Sequence, residues 1–275
     1  MEIDWELREA GPPDAELILL LLPGGMCSAG SYGEVMAEPA LAGMRLVAAT
    51  MPGHAGAPPP EDYRIENYAR LTAELARRVG ADVVVGFSMG ASVALEMVAS
   101  GAFSGPVVLL GISLSAKDEA AFFRAIVGLG GVLGGLPAAV PAKGAASMVK
   151  RIPVSAERQD ELRADFHKNV PRHNREGLRE YVRWLHRHQH PAERLCRAGV
   201  PAWIVHAEKG DGGLTPRRAT HTGGLPPGAS GDHPGQRVLP ARRGTGSDRR
   251  RHRRGRRPRW PASHGVSIAN RILGG

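Results

Sequence analysis

The sequence predicts an α/β fold: a mostly parallel sheet with helices on both faces and a helical cap over its active edge. Two observations carry most of this. Short, continuous apolar runs, each closed by glycine, proline or a turn, suit strands buried on both faces. Between them lie stretches whose apolar residues recur at helical spacing. At one point a glycine-flanked serine links such a run directly to such a stretch, which is the third.

In chain order, Leu17–Leu22, Arg45–Ala49, Asp82–Val85 and Val107–Leu110 are the apolar runs and are read as strands. Ile65, Tyr68, Leu71, Leu75 and Val79 recur at helical spacing, leaving Glu66, Arg70, Glu74 and Arg77 towards water. Ala91–Ala99 reads as a second, more apolar helix ended by Gly101. Strand signals then vanish, and helices are expected at Asp118–Val127, Ala156–Asn169 and Arg175–His188. Pro201–Ala207 returns to strand character and ends in the acidic, glycine-rich turn Glu208–Gly213. The expected organisation is therefore a first core part over 1–112, a cap over 113–195, a return strand and acid loop over 196–215, and a tail over 216–275.

Composition narrows the class. At 275 residues with 42% hydrophobic residues, the chain is long enough to bury a full core. Cys27 and Cys196 give no disulfide framework. Met1 to Pro13 does not read as a signal peptide, Leu17–Leu22 is too short to span a bilayer, and Ile126–Val140 is short and rich in glycine. A cytoplasmic enzyme without a membrane partner is expected.

The chemistry concentrates at Gly86-Phe87-Ser88-Met89-Gly90, which fits G-x-S-x-G. Val83–Val85 precedes it as a strand and Ala91–Leu95 follows as a helix. The turn between must be sharp, and small residues two before and two after the serine prevent clashes while its hydroxyl is held out at the sheet's edge. The helix N-terminus supplies free N–H groups and partial positive charge to the reacting oxygen. The competing reading is a chance glycine pair in an ordinary strand-to-helix turn.

Upstream, Leu19–Leu22 runs into Pro23-Gly24-Gly25-Met26, and here the sequence resembles the α/β-hydrolase superfamily. The resemblance covers residues 16–215. It implies Ser88 as nucleophile, with the N–H groups of Gly25 and Met89 as the oxyanion hole. Proline stands where the family usually has histidine in that turn, and a plain tight strand exit is the alternative. Met51-Pro52-Gly53-His54 resembles the family's P-G-H-G loop, where His54 would line the pocket rim or brace the loop rather than act as base. Cys27, near the oxyanion turn, reads as a small packed thiol. The stretch from His206 to Thr215 resembles the loop that carries the family's acid. Asp211 is the choice for the acid that orients the imidazole, Glu208 is the reserve, and capping a turn is the plain alternative for Asp211.

The base should stand after the sheet's closing strand, and no such strand is recognisable. His233, in the turn Gly231-Asp232-His233-Pro234, is the candidate by chain distance, without a supporting pattern. His186, His188 and His190 read as a solvated cationic helix end rather than a metal site.

The tail needs its own explanation. From Pro216 onward there are fourteen arginines, no lysine and two acidic residues (Asp232 and Asp248), a net +12, so residues 1–215 carry −3 of the chain's +9. Such a segment binds phosphates non-specifically, with no specific nucleic-acid partner implied. It is almost free of strand formers and is expected to supply no packed element. It also has the composition of GC-rich DNA read out of register. Back-translated from Arg217 to Trp260 and read from the second base of each codon, it admits a peptide containing the strand VRQVTI and the amphipathic helix DRIADVIAEAVA. Many wobble bases are free in this exercise, and they contribute to the fit. In the shifted frame the codons at Gln236 to Leu239 begin with A, G or T, so none encodes histidine, and the restored ending also lacks the base at the family's usual place. The last strand and helix of the fold are then missing from the chain as it stands. Losing about five core side chains at ~1.5–3 kcal/mol each is a loss on the order of 10 kcal/mol, comparable with a domain's whole stability. A poorly soluble, inactive chain is the expectation.

The resemblance implies serine-nucleophile hydrolysis of a small ester or related acyl compound, with no cofactor. The alternatives are a haloperoxidase-like, C–C bond hydrolase or acyltransferase relative, and a non-catalytic protein binding a ligand in the same pocket.

Overall fold

The computed structural model describes residues 3–114, 155–188, 190–207, 231–233 and 236–240. Among the described residues eight strands form one sheet: β1 (Leu7–Ala10), β2 (Ile18–Leu22), β3 (Arg45–Ala49), β4 (Val83–Phe87), β5 (Val107–Leu110), β6 (Ala202–Ala207), β7 (Gly231–His233) and β8 (Gln236–Pro240). Their order across the sheet is β1-β3-β2-β4-β5-β6-β8-β7. The five strands from β3 to β6 in this order run parallel, and β1 pairs antiparallel with β3 at one edge.

The parallel strands are the apolar runs of the sequence. Leu19 to Leu22, Val83 to Val85 and Val107 to Leu109 are fully buried because helices cover both faces. One face packs on α2 (Ile65–Val79) and α3 (Met89–Ala99), and the other on Tyr32, Leu41 and their neighbours. α2 buries Ile65, Tyr68, Leu71 and Leu75, and it ends where Gly80 adopts a left-handed φ of 73°. A single turn, α1 (Gly33–Met36), follows the loop after β2.

Three helices follow the segment after β5: α4 (Ala156–Lys168), α5 (Pro171–Arg187) and α6 (Pro191–Ala198). The first two coincide with sequence expectations, α5 starting earlier because Pro171 is tolerated in a first turn. The helix expected at Asp118–Val127 lies outside the described residues. α6 was not expected, and it straddles the boundary drawn at 195. Its Leu195 is buried in the same cluster as α3. Between α3 and α6, Arg194 makes a two-pronged ion pair with buried Glu96 at 2.6 and 2.7 Å, and Trp184 of α5 donates its indole N–H to the same carboxylate at 2.8 Å. Burial would raise the Glu96 carboxyl, but these hydrogen bonds outweigh it and hold the group below its ordinary range.

Of the tail, read as almost free of strand formers, two short strands lie among the described residues. β8 pairs antiparallel with β6, and β7 antiparallel with β8. The physical reason is the open edge of β6, whose unpaired N–H and C=O groups accept an extended segment. Val238 and Leu239 give this stretch its strand character. The hairpin takes the place of a parallel closing strand among the described residues.

Candidate active site

The chain leaves β2 towards β3 on one side and leaves β4 towards β5 on the other. The carboxyl ends of β2 and β4 therefore flank a topological switch point, where open α/β sheets form a ligand crevice. Leu22 is in register with Gly86, so the two loops leave the sheet at the same level.

Only Ser88 separates β4 from α3. Its backbone sits at φ 51° and ψ −114°, outside the ordinary range for an L-residue. Such strain persists where the surroundings over-determine it. Ser88 donates its N–H to the Leu110 carbonyl at 2.9 Å, and its own carbonyl accepts from Ala91 and Ser92 at 3.0 and 3.2 Å. Both glycines of the motif are required by contact. A Cβ on Gly86 would lie 2.3 Å from the Gly90 carbonyl oxygen, and one on Gly90 would lie 2.3 Å from the Leu22 carbonyl oxygen. The elbow is thus pressed against the end of β2. Phe87, half exposed, walls the same edge, between Gly24 and Gly111.

Against this elbow lies the turn after β2. A Cβ built on Gly24 would come within 3.6 Å of the Ser88 Cβ, and one on Gly25 within 3.8 Å of the Met89 Cβ. The structure therefore brings Ser88, Gly25 and Met89 together. Met89 opens α3, where the first N–H groups have no intrahelical acceptor.

The next residue, Met26, has a left-handed φ of 71°. It donates its N–H to His54 Nδ1 at 3.0 Å. With Nδ1 accepting, the ring proton stands on Nε2, which faces the Tyr68 hydroxyl at 3.5 Å, and Tyr68 donates to the Pro52 carbonyl at 2.8 Å. Burial, with His173 nearby, lowers the His54 pKa from 6.5 to about 4, so the ring is neutral. His54 braces the turn. The Cys27 thiol is pushed up to about 12, by burial first and then by Asp165, and stays protonated.

Two residues that the sequence did not single out also reach this turn, one on α4 and one capping its C-terminal end. Asp165 accepts from the Ser28 N–H at 2.8 Å and from its hydroxyl at 2.6 Å. Asn169 donates to the Met26 carbonyl at 2.7 Å and accepts from the Ala55 N–H at 3.0 Å. No local pattern marks them, because these partners, most of them main-chain groups, lie more than a hundred residues away. The one available signal was weak: polar residues at four-residue spacing near the end of a cap helix.

Asp211 and Glu208 lie outside the described residues. His233 stands on β7, the outermost strand, four strand positions from β4 and hence about 19 Å away across the sheet. The structure does not bring its backbone to Ser88. Among the three clustered histidines, His188 faces Glu66 and the ring of Trp184, and His190 faces Glu193. Among the described residues no group of three or more His, Cys, Asp or Glu side chains could hold a metal ion.

The model of the alpha/beta hydrolase family matches residues 19–220, well over half of the chain. The chain belongs to the alpha/beta hydrolase family. The family's fold recurs in solved structures. An esterase from Rhodococcus sp. ECU1013 superposes with a TM-score of 0.62 at 19% identity, over 82% of this chain and 88% of that one. An N-formylmaleamic acid deformylase from Pseudomonas putida S16 gives 0.57 at 20% identity, over 80% and 83%. An N-acyl homoserine lactonase, solved in complex with N-butanoyl homoserine, gives 0.54 at 18% identity, over 73% and 76%. No curated protein matches the chain. Among the described residues no helix of this family member is long and apolar enough to cross a membrane.

Proposed function

We propose that this family member is a cytoplasmic serine-nucleophile hydrolase acting on a small ester or related acyl compound. Ser88 attacks the carbonyl carbon, and the N–H groups of Gly25 and Met89 receive the charge that develops on its oxygen. Asp211 orients the base, and the base itself is left unassigned: His233 is the candidate by chain order but stands on the far strand of the sheet. The supporting observation is the strained backbone of Ser88 on a strand-to-helix elbow, in contact with the turn that carries Gly25. The likeness to an esterase, a lactonase and a deformylase supports the reading of an acyl compound as substrate.

A fluorophosphonate probe tests the proposal, since phosphonylation uses the nucleophile and the oxyanion hole. The tail makes an inactive chain the expectation from sequence, but the elbow and the turn that carries Gly25 are both formed, so labelling of the full chain, abolished in Ser88→Ala, is the expected result. An unreactive Ser88 in folded protein would overturn it in favour of a ligand-binding protein built on the same pocket.

We further propose, on its composition of arginine, glycine and proline, that the tail comes from an altered reading frame. The family match ends at residue 220, four residues past Pro216. Resequencing the gene around the codon for Pro216 checks this. A sequence that reproduces the Arg-rich frame without interruption sinks the assignment.

A further inference from the structure

We propose that Asn169, which ends α4, is a positioning residue for the oxyanion turn, holding the strained Met26 and Ala55 backbones in one clamp. The inference rests on the serine-nucleophile reading above, and it adds a dependence of that site on the cap helix.

Three non-glycine residues among those described have a left-handed φ: Met26 at 71°, Ala55 at 47° and Ser88 at 51°. All three lie around one crevice. Ser88 is held by its own neighbours in sequence and by the Leu110 carbonyl. The other two share one partner. The Asn169 amide nitrogen donates to the Met26 carbonyl at 2.7 Å and to the Asp165 carbonyl at 2.7 Å, and its amide oxygen accepts from the Ala55 N–H at 3.0 Å. Two carbonyls require donors and one N–H requires an acceptor, so only one orientation of the amide satisfies all three. The side chain is buried at 7% exposure, which makes an unmet partner costly.

The consequence for the site is directional. Met26 is gripped on both sides, its N–H by His54 Nδ1 and its carbonyl by Asn169. With Met26 fixed in a conformation that a free chain rarely adopts, the Gly25–Met26 peptide is fixed as well, and the turn that carries the Gly25 N–H is held in place before substrate arrives. Preorganised donors of this kind stabilise charge without reorganisation during the reaction. Asp165 and Arg158 extend the grip along the same loop, Asp165 through Ser28 and Arg158 by donating to the Gly30 carbonyl at 2.6 Å. Simple capping of α4 would need only the bond from Asn169 to Asp165. It does not account for the two bonds to the left-handed residues.

Asn169→Asp is the sharpest test. It keeps the size and the acceptor for Ala55 but removes the donor to Met26. The full chain, Ser88→Ala and Asn169→Asp are compared by the rate of fluorophosphonate labelling and by kcat and KM for p-nitrophenyl butyrate, each protein being held below its own melting midpoint. The expected result is a loss of about 10- to 100-fold in labelling rate and kcat, the scale of a small misplacement of catalytic groups. KM should stay within about threefold, since the donor acts on the transition state. An unchanged labelling rate in folded Asn169→Asp overturns the inference while leaving Ser88 as nucleophile. Absence of labelling in the unaltered folded chain overturns both. If Asn169→Asp does not fold, Asn169→Ser, which leaves room for a water between Met26 and Ala55, is read by the same labelling rate, and an unchanged rate there overturns the inference equally.

Discussion

Two turns at the edge of the sheet each carry a left-handed residue that is not glycine, and they are built differently. At the elbow, the restraints on Ser88 come mostly from within a few residues: the glycines at 86 and 90, and the first N–H groups of α3. At the turn after β2, the restraints on Met26 come from His54, 28 residues on, and Asn169, 143 residues on. The elbow is a local invention of the sequence. The turn after β2 is a product of packing, and it stands only as long as the loop of His54 and the end of α4 are in place.

The largest effect tests how local the elbow is. Glu96 lies on the elbow helix but seven residues beyond Met89, tied to Arg194 and Trp184. Replacing it by alanine leaves a largely buried guanidinium and an indole N–H without their partner, and stability should fall by about 3–5 kcal/mol in chemical denaturation. Ser88 labelling in the folded fraction should change by no more than about threefold, within the scatter expected for a site that does not share its partners. A large loss of labelling would mean that the elbow, too, depends on distant packing.

Next comes the brace of the turn after β2. The His54 pKa is lowered in the fold to about 4 from 6.5, so the unfolded chain takes up the proton first as pH falls. The stability contributed by the neutral ring is fully present above pH 6.5 and drains away as pH drops towards 4, a loss of about 3 kcal/mol. Denaturation curves across this range check it. In His54→Gln that part of the acid limb should be absent. An equal slope in the variant would assign the acid sensitivity to other groups.

The smallest effect on stability should accompany one of the clearest effects on the site. In Gly90→Ala the added methyl would sit 2.3 Å from the Leu22 carbonyl, so the elbow must move away from β2. Overpacking of this kind costs about 1–3 kcal/mol. The separation of Ser88 from the Gly25 turn should slow labelling by about 100-fold. A labelling rate near that of the unaltered chain would show that the contact between the two turns is not what makes Ser88 reactive.

Much of the fold was legible because buried parallel strands write themselves as unbroken apolar runs. Arg45–Ala49 and Val107–Leu110 coincide with β3 and β5 residue for residue. β1 was missed since Leu7–Ala10 reads LREA: an edge strand with a polar middle has no apolar signature. α6 was missed since eight residues opening on Pro191 give too few turns for a periodicity to register. β7 and β8 were missed for a third reason: only Val238 and Leu239 carry strand character there, and the pairing depends on the bare edge of β6.

The candidate site divides along the same line. Local order in the chain is enough to derive the elbow, because the spacing of Gly86, Ser88 and Gly90 between an apolar run and a helix admits one sharp turn. It is also enough for the parallel core and the charge break at Pro216. The neutral state of His54, the grip of Asn169 on two strained turns and the distance of His233 from Ser88 were settled only in three dimensions. The first depends on burial with His173 nearby, the second on main-chain groups far apart in the sequence meeting one side chain, and the third on strands standing several positions apart. Main-chain partners leave no trace in residue identity, so no reading of the letters could have supplied them.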